Sequence, residues 1–166
     1  AQMALAICRA LGARTWVTSR SEAKLERARS LGADVLLHQA PGTDIGREVR
    51  ARTGKRGVTV VLDSIGTATW QQSLGALGRR GRLVTCGGTS GPLVETDIRR
   101  LFWNQWTLMG STMGSDAEYD AVVAEFTAGR LAPVVDSVHS LDNAADAFAR
   151  LDAGAHFGKV TVRIAR

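Results

Sequence analysis

The chain has 166 residues, 45% of them hydrophobic and 22% charged, the make-up of one soluble globular domain with a sizeable core. No run approaches about 18 consecutive apolar residues, so no membrane span is expected. The two cysteines, Cys8 and Cys86, stand too far apart to read as a disulfide or zinc framework, and a reducing cytoplasm is the expected setting. The net charge of +5 is almost wholly arginine, spread along the chain apart from doublets such as Arg79-Arg80 and Arg99-Arg100. A nucleic-acid surface would gather that charge on one face among aromatic partners, so attraction for a phosphate-bearing small molecule is the expected use.

Ala4, Leu5, Ile7, Cys8 and Leu11 recur at helical spacing, and Gly12 ends the segment. No capping residue precedes Ala1 and there is no initiator methionine, so the expectation is a fragment that opens inside a helix. The apolar stretch has neither a basic leader nor a cleavage site, which argues against a signal peptide. Arg14–Thr18 is a short β-prone run. Ser21 opens a helix with apolar positions Ala23, Leu25, Ala28 and Leu31, closed by Gly32. Val35–His38 is the next strand. Pro41-Gly42 turns into a helix capped by Thr43 or Asp44 and running to Arg52, and Gly54 and Gly57 bracket a loop.

Val58–Leu62 is continuously apolar but for one threonine, the pattern of a strand buried on both faces. A helix is expected over Thr67–Leu77, then a glycine-rich turn at Gly78–Gly81 and a strand over Arg82–Cys86. A helix near Asp97–Asn104 precedes the strand Thr107–Gly110. Ser115 or Asp116 caps a helix that reaches Ala128 and stops at Gly129. Val134–His139 is extended, Leu141–Leu151 is helical, and Lys159–Ile164 is the final strand. Strands alternating with helices over short loops predict an α/β fold, a parallel sheet with helices on both faces. In such sheets ligands bind beyond the carboxyl ends of the strands, where this chain places Thr18-Ser19-Arg20, Asp63-Ser64-Ile65-Gly66 and Cys86-Gly87-Gly88-Thr89-Ser90-Gly91.

The segments Leu31-Gly32-Ala33-Asp34, Arg56-Gly57-Val58 with Leu62-Asp63-Ser64, Gly81-Arg82-Leu83-Val84, Leu101-Phe102-Trp103, Gly110-Ser111-Thr112-Met113-Gly114 and Phe157-Gly158-Lys159-Val160 follow one another in register. Together they resemble the C-terminal half of the medium-chain dehydrogenase/reductase superfamily, of the zinc-binding alcohol dehydrogenase and quinone oxidoreductase type. The resemblance covers the whole chain. It implies that residues 1–166 are a truncated Rossmann-like, doubly wound dinucleotide-binding domain. The first strand and its glycine-rich turn, and the GroES-like catalytic domain before them, would lie upstream of Ala1. It further implies that 156–166 return toward that catalytic domain. With the central strand absent, the sheet should be interrupted, and the chain alone should fold poorly or leave apolar edges exposed.

The same resemblance points to site residues. A dinucleotide's adenosine end should meet Ser19, Arg20 and Lys24. NAD-preferring sites usually carry an acidic residue there, whereas a hydroxyl and two cations suit a 2′-phosphate, so NADP(H) is expected over NAD(H). Ser19 or Ser21 as a helix cap, with Arg20 and Lys24 solvated, is the plainer alternative. Asp63 and Ser64 would lie beside the adenine or ribose, or simply cap the next helix. Gly87, Gly88 and Thr89, with Gly110, Ser111 and Thr112, would face the nicotinamide end, or be ordinary turn residues. Lys159 either approaches the cofactor or is a surface charge. His38, His139 and His156 are too dispersed to bind metal, Trp103 and Trp106 read as packing residues, and no residue stands out as catalytic. The resemblance implies hydride transfer between NADP(H) and a small alcohol or carbonyl, with zinc ligands, if any, in the upstream domain. A zinc-independent NADPH quinone or enoyl reductase and a non-catalytic nucleotide-binding module are the alternatives. It also implies a small-molecule substrate and a homodimer or homotetramer paired through the edge strand Thr107–Ser111, with neither nucleic acid nor membrane as partner.

Overall fold

The computed structural model describes residues 2–164; Ala1, where the first helix was expected to open, and the last two residues of the 156–166 segment lie outside it. The elements in chain order are α1 (Gln2–Ala10), β1 (Trp16–Ser19), α2 (Glu22–Ser30), β2 (Val35–His38), α3 (Ile45–Arg52), β3 (Val58–Asp63), α4 (Trp70–Ala76), β4 (Leu77–Thr85), α5 (Ile98–Asn104), β5 (Thr107–Gly110), α6 (Asp116–Thr127), β6 (Val135–Ser140), α7 (Ala144–Asp152) and β7 (Lys159–Arg163). Every strand pair is parallel. This is the Rossmann-like α/β class expected from the alternation of strands and helices. The strands do not form one continuous sheet: they fall into β1-β2, β3-β4-β5 and β6-β7. The chain folds as two compact units, one taking in the described residues up to His38 and from Ser115 onward, the other Gln39–Gly114.

In the first unit, α1, α2 and the 157–158 turn close over the β1-β2 pair. Leu5, Ala28, Ala33 and Phe157 form the core, with Val17, Leu31, Leu36 and Val134 against it. Ser21 caps α2 by accepting from the Lys24 amide at 3.3 Å, one of the donors a helix start leaves without an internal partner. Of the apolar positions expected on α2, Leu25 and Ala28 are buried and Ala23 is exposed. Ser115 caps α6 in a reciprocal box with Glu118, and Gly129 (φ 71°) stops it. The helix expected from Leu141 opens instead as a short 3-10 turn over Leu141–Asn143. An ion cluster around the buried Asp136 carboxylate ties β6 to its surroundings. Asp136 accepts from Arg150 Nε and, at 2.8 Å, from the Phe157 amide, and Arg27 lies 3.6 Å away. Those partners hold its carboxyl well below the usual carboxylate range, Arg150 most strongly and against the opposing effect of burial.

In the second unit, α4 packs under the three-stranded sheet. The core is Trp70, Leu74, Leu77, Leu83 and Trp106, with Val61, Leu101 and Leu108 beside it. α3 and α4 approach closely through glycines: a Cβ on Gly46 would lie 3.0 Å from the Gly75 backbone. Three expectations are corrected here. β3 is not buried on both faces, for Val60 and Leu62 are 49% and 51% exposed. Its strand stands at the edge of its sheet, with α4 packed on the Val61 side only. The glycine-rich turn Gly78–Gly81 lies inside β4 as a bulge, because Val58 pairs with Leu77 and Val60 with Arg82. The helix expected from Thr67 starts at Trp70, since the Gly66 carbonyl takes both the Thr69 and Trp70 amides and makes the preceding residues a turn.

Candidate nucleotide-binding site

The strand ends that the sequence singled out do carry the small and polar residues, and each unit holds its own group. In the first unit, β1 ends at Ser19, which pairs in register with His38 at the end of β2. Ser19 Oγ accepts from the Ser21 amide at 3.1 Å, and Ser21 in turn caps α2. The turn between them therefore presents Arg20 at the start of a capped helix. Arg20 is exposed, and its guanidinium makes no hydrogen bond or ion pair among the described residues; its carbonyl accepts from His38 Nε2 at 3.1 Å. Lys24 lies one turn into α2, but its ammonium already donates to the Gly154 carbonyl at 2.5 Å. Ser19, Arg20 and Lys24 are thus brought together, with Arg20 the uncommitted cation. Lys159 is an exposed residue at the start of β7, in the same unit; its amide donates to the Val134 carbonyl, and its ammonium has no partner among the described residues.

In the second unit the ends of β3 and β4 interlock. Asp63 is 4% exposed. Its Oδ1 accepts from the Ile65 and Gly66 amides at 2.8 and 3.1 Å, while Thr69 Oγ1 and Ser73 Oγ donate to Oδ2 at 2.8 and 2.6 Å. Burial pushes its pKa up, and the hydrogen bonds from Ser73, Ile65, Gly66 and Thr69 outweigh that, leaving the carboxyl below its usual value. The carboxylate is therefore turned into its own loop and the head of α4. Gly66 (φ 88°) sits so close to the neighbouring loop that a Cβ would lie 2.5 Å from the Gly91 carbonyl. Ser90 Oγ donates to the Ile65 carbonyl at 2.7 Å and accepts from the Ala68 amide at 3.0 Å.

These bonds fix the loop that carries Gly87, Gly88 and Thr89. All three residues are exposed, and their successive amides have no acceptor among the described residues. Ser64, also exposed, has its carbonyl 3.0 Å from where a Cβ on Gly87 would stand. At the end of β5 the Ser111 amide donates to the Thr85 carbonyl at 2.8 Å, which leaves Gly110 and Thr112 exposed on either side. A rigid loop with open amides is a ready acceptor site for a carbonyl, carboxamide or phosphate oxygen.

Several roles were not visible in the sequence. Ser73 and Thr69 are the partners of Asp63, and no local motif links positions six and ten residues apart. His38, considered only as a metal ligand, is a partner of the Arg20 turn. Asp136 lies inside an extended run, where a lone carboxylate among valines is the available signal. Trp106 is a packing residue, as expected, and its Nε1 donates to the Gly78 carbonyl at 2.9 Å; Trp103, 74% exposed, packs little. Among the described residues no three His, Cys, Asp or Glu side chains gather as a metal set requires, and no helix is long and apolar enough to cross a membrane.

The chain is 38% identical over 90 residues to a quinone oxidoreductase of Salmonella typhimurium, a match covering 54% of this chain and 27% of that protein. It is 30% identical to a zinc-type alcohol dehydrogenase-like protein of Schizosaccharomyces pombe over 97% of this chain and 48% of that protein. A solved NAD-dependent alcohol dehydrogenase superposes with a TM-score of 0.89 at 32% identity, over 99% of this chain and 48% of its own. This chain thus spans between about a quarter and a half of the length of the proteins it matches. The family model described as zinc-binding dehydrogenase matches residues 1–128, and the chain belongs to that family.

Proposed function

We propose that this chain is the nucleotide-binding part of an oxidoreductase that moves hydride between NADP(H) and a small alcohol or carbonyl. The observation that carries the cofactor choice is the end of β1. Ser19 and Arg20 stand where an NAD-preferring site would place a carboxylate, and the Arg20 guanidinium has no partner among the described residues. A planar guanidinium on a capped turn suits a bidentate grip on a 2′-phosphate. Lys24 adds positive charge from α2 once it exchanges its carbonyl partner for the phosphate. The open amides of Gly87, Gly88 and Thr89 and the exposed backbone at Gly110–Thr112 are the groups we assign to the nicotinamide end. Bound there, the cofactor would supply the hydride; the protein's residues supply binding and orientation. Ser64 and Lys159 are assigned to the ribose and to the cofactor's charged linkage, respectively. Asp63 acts on the site by holding the Ile65–Gly66 turn in place.

Zinc assistance belongs to the proposal for the whole protein only. Among the described residues no set of His, Cys, Asp and Glu side chains gathers to hold a metal. Homo-oligomerisation through the edge of β5 is likewise proposed. The quinone oxidoreductase relative favours a second reading, direct reduction of a quinone or activated alkene by NADPH without a metal.

The test is a titration of the full chain, as the gene encodes it, with NADPH and NADH. NADPH should bind tighter, and Arg20→Glu should cost at least about ten-fold in NADPH affinity while leaving NADH within about two-fold. Equal affinity of the unaltered protein for the two cofactors refutes the NADP(H) assignment. Turnover on a panel of aldehydes and quinones, with metal content measured alongside, separates the two reaction classes.

A further inference from the structure

We infer that His38 is a positioning residue for 2′-phosphate recognition, an inference that rests on the NADP(H) reading of the Arg20 turn. The parallel register sets His38 directly beside Ser19 at the carboxyl ends of β2 and β1. A carbonyl only accepts, so the 3.1 Å contact from His38 Nε2 to the Arg20 carbonyl requires the hydrogen on Nε2. The other ring nitrogen, Nδ1, lies 3.4 Å from Glu22 Oε1 at the first residue of α2. One imidazole therefore spans the turn and the head of the helix.

For a bound phosphate this matters because the three residues of the turn are held at each position: Ser19 by the Ser21 amide, Arg20 by His38, and Ser21 by the Lys24 amide. Arg20 is the one whose side chain remains available, and the ring's hold on its carbonyl removes backbone freedom that binding would otherwise have to remove. That gain falls on the 2′-phosphate, which the Arg20 guanidinium grips, and leaves the dephospho form nearly indifferent.

The experiment titrates NADPH and NADH into the full chain and its His38→Leu and His38→Gln variants. Leucine fills similar space with no donor, and the glutamine amide nitrogen can stand where Nε2 stands. His38→Leu should weaken NADPH binding by about five-fold with NADH changed by less than about two-fold, and His38→Gln should restore most of the NADPH affinity. An unchanged NADPH-to-NADH ratio in His38→Leu overturns the inference, as does an equal fall for both cofactors, which would mark a purely structural residue. Failure of the NADP(H) reading itself looks different: the unaltered protein would show no preference between the cofactors, and the inference would fall with it.

Discussion

Asp63→Ala removes an acceptor shared by four donors, the Ile65 and Gly66 amides and the Thr69 and Ser73 hydroxyls. A hydrogen bond to a charged group contributes about 1.5–3 kcal/mol, so the simple sum for four is roughly 6–12 kcal/mol. Part of that is recovered locally. Ile65 is exposed enough for water to reach its amide, and Thr69 Oγ1 has the Gly66 carbonyl at 3.3 Å as a second acceptor. The Gly66 amide and the Ser73 hydroxyl keep no such replacement, which leaves an expected cost of about 3–5 kcal/mol, a large fraction of a domain's stability. Asp63→Asn keeps Oδ1 for the two amides and turns an NH2 toward the hydroxyls, which can rotate to accept; its cost should be about 1–2 kcal/mol. Urea unfolding of the full chain reads both values as shifts in midpoint at constant slope. NADPH affinity of the Asn variant should stay within about two-fold. An alanine variant that loses less than about 1 kcal/mol refutes the buried-hub account. An Asn variant of unaltered stability that loses NADPH binding more than about ten-fold refutes it differently, by placing the carboxylate on the cofactor.

Gly66→Ala should cost about 2–4 kcal/mol, because its φ of 88° is unfavourable for alanine and the added Cβ would meet the Gly91 carbonyl, which is backbone and anchored. A melting temperature lowered by less than about 2 °C would contradict that packing. Asp136 has a folded pKa below its unfolded one, so it stabilises the fold above about pH 4, and that contribution is lost as the pH falls through the folded value. Asp136→Asn should be less stable at pH 7 and should lose less stability than the unaltered protein on acidification. Parallel stability curves from pH 7 to about pH 3 would show that the Arg150 pairing is not the source of acid sensitivity.

What could be read from the sequence divides along a physical line. Caps and stops depend on a few adjacent residues, and Ser21, Asp97 and Ser115 at helix starts, with Gly12 and Gly129 after helix ends, all stand where local rules put them. The extents of β2 and β5 followed from composition in the same way. Errors arose where the outcome depends on a neighbour distant in sequence. The apolar run of β3 says only that the strand can be buried; how much of Val60 and Leu62 is covered depends on what packs beside them. Gly78-Arg79-Arg80-Gly81 has turn composition, and only pairing with β3 reveals that Leu77 and Arg82 belong to one strand. The link from His38 to Arg20 exists because two strand ends lie side by side.

The motifs that carried the family resemblance are, for the most part, framework. Ala33 is core, Asp34 accepts from the Thr15 amide and hydroxyl at 2.7 and 2.9 Å, and Gly32 leaves room for the Arg9 side chain. A Cβ on Gly57 would lie 2.6 Å from the Ala76 carbonyl, and one on Gly158 2.5 Å from that of Val134, while Phe157 fills the first unit's core. Such residues answer to the shape of the fold, which is shared across dehydrogenases and reductases of different substrate. Arg20 and the Gly87–Thr89 amides, which we assign to the cofactor, are exposed and have no partners among the described residues, so substitution there should change binding before it changes stability. The framework residues and the exposed, ligand-facing ones are thus two sets, and variants of the two should separate in the same pair of assays, unfolding and cofactor titration.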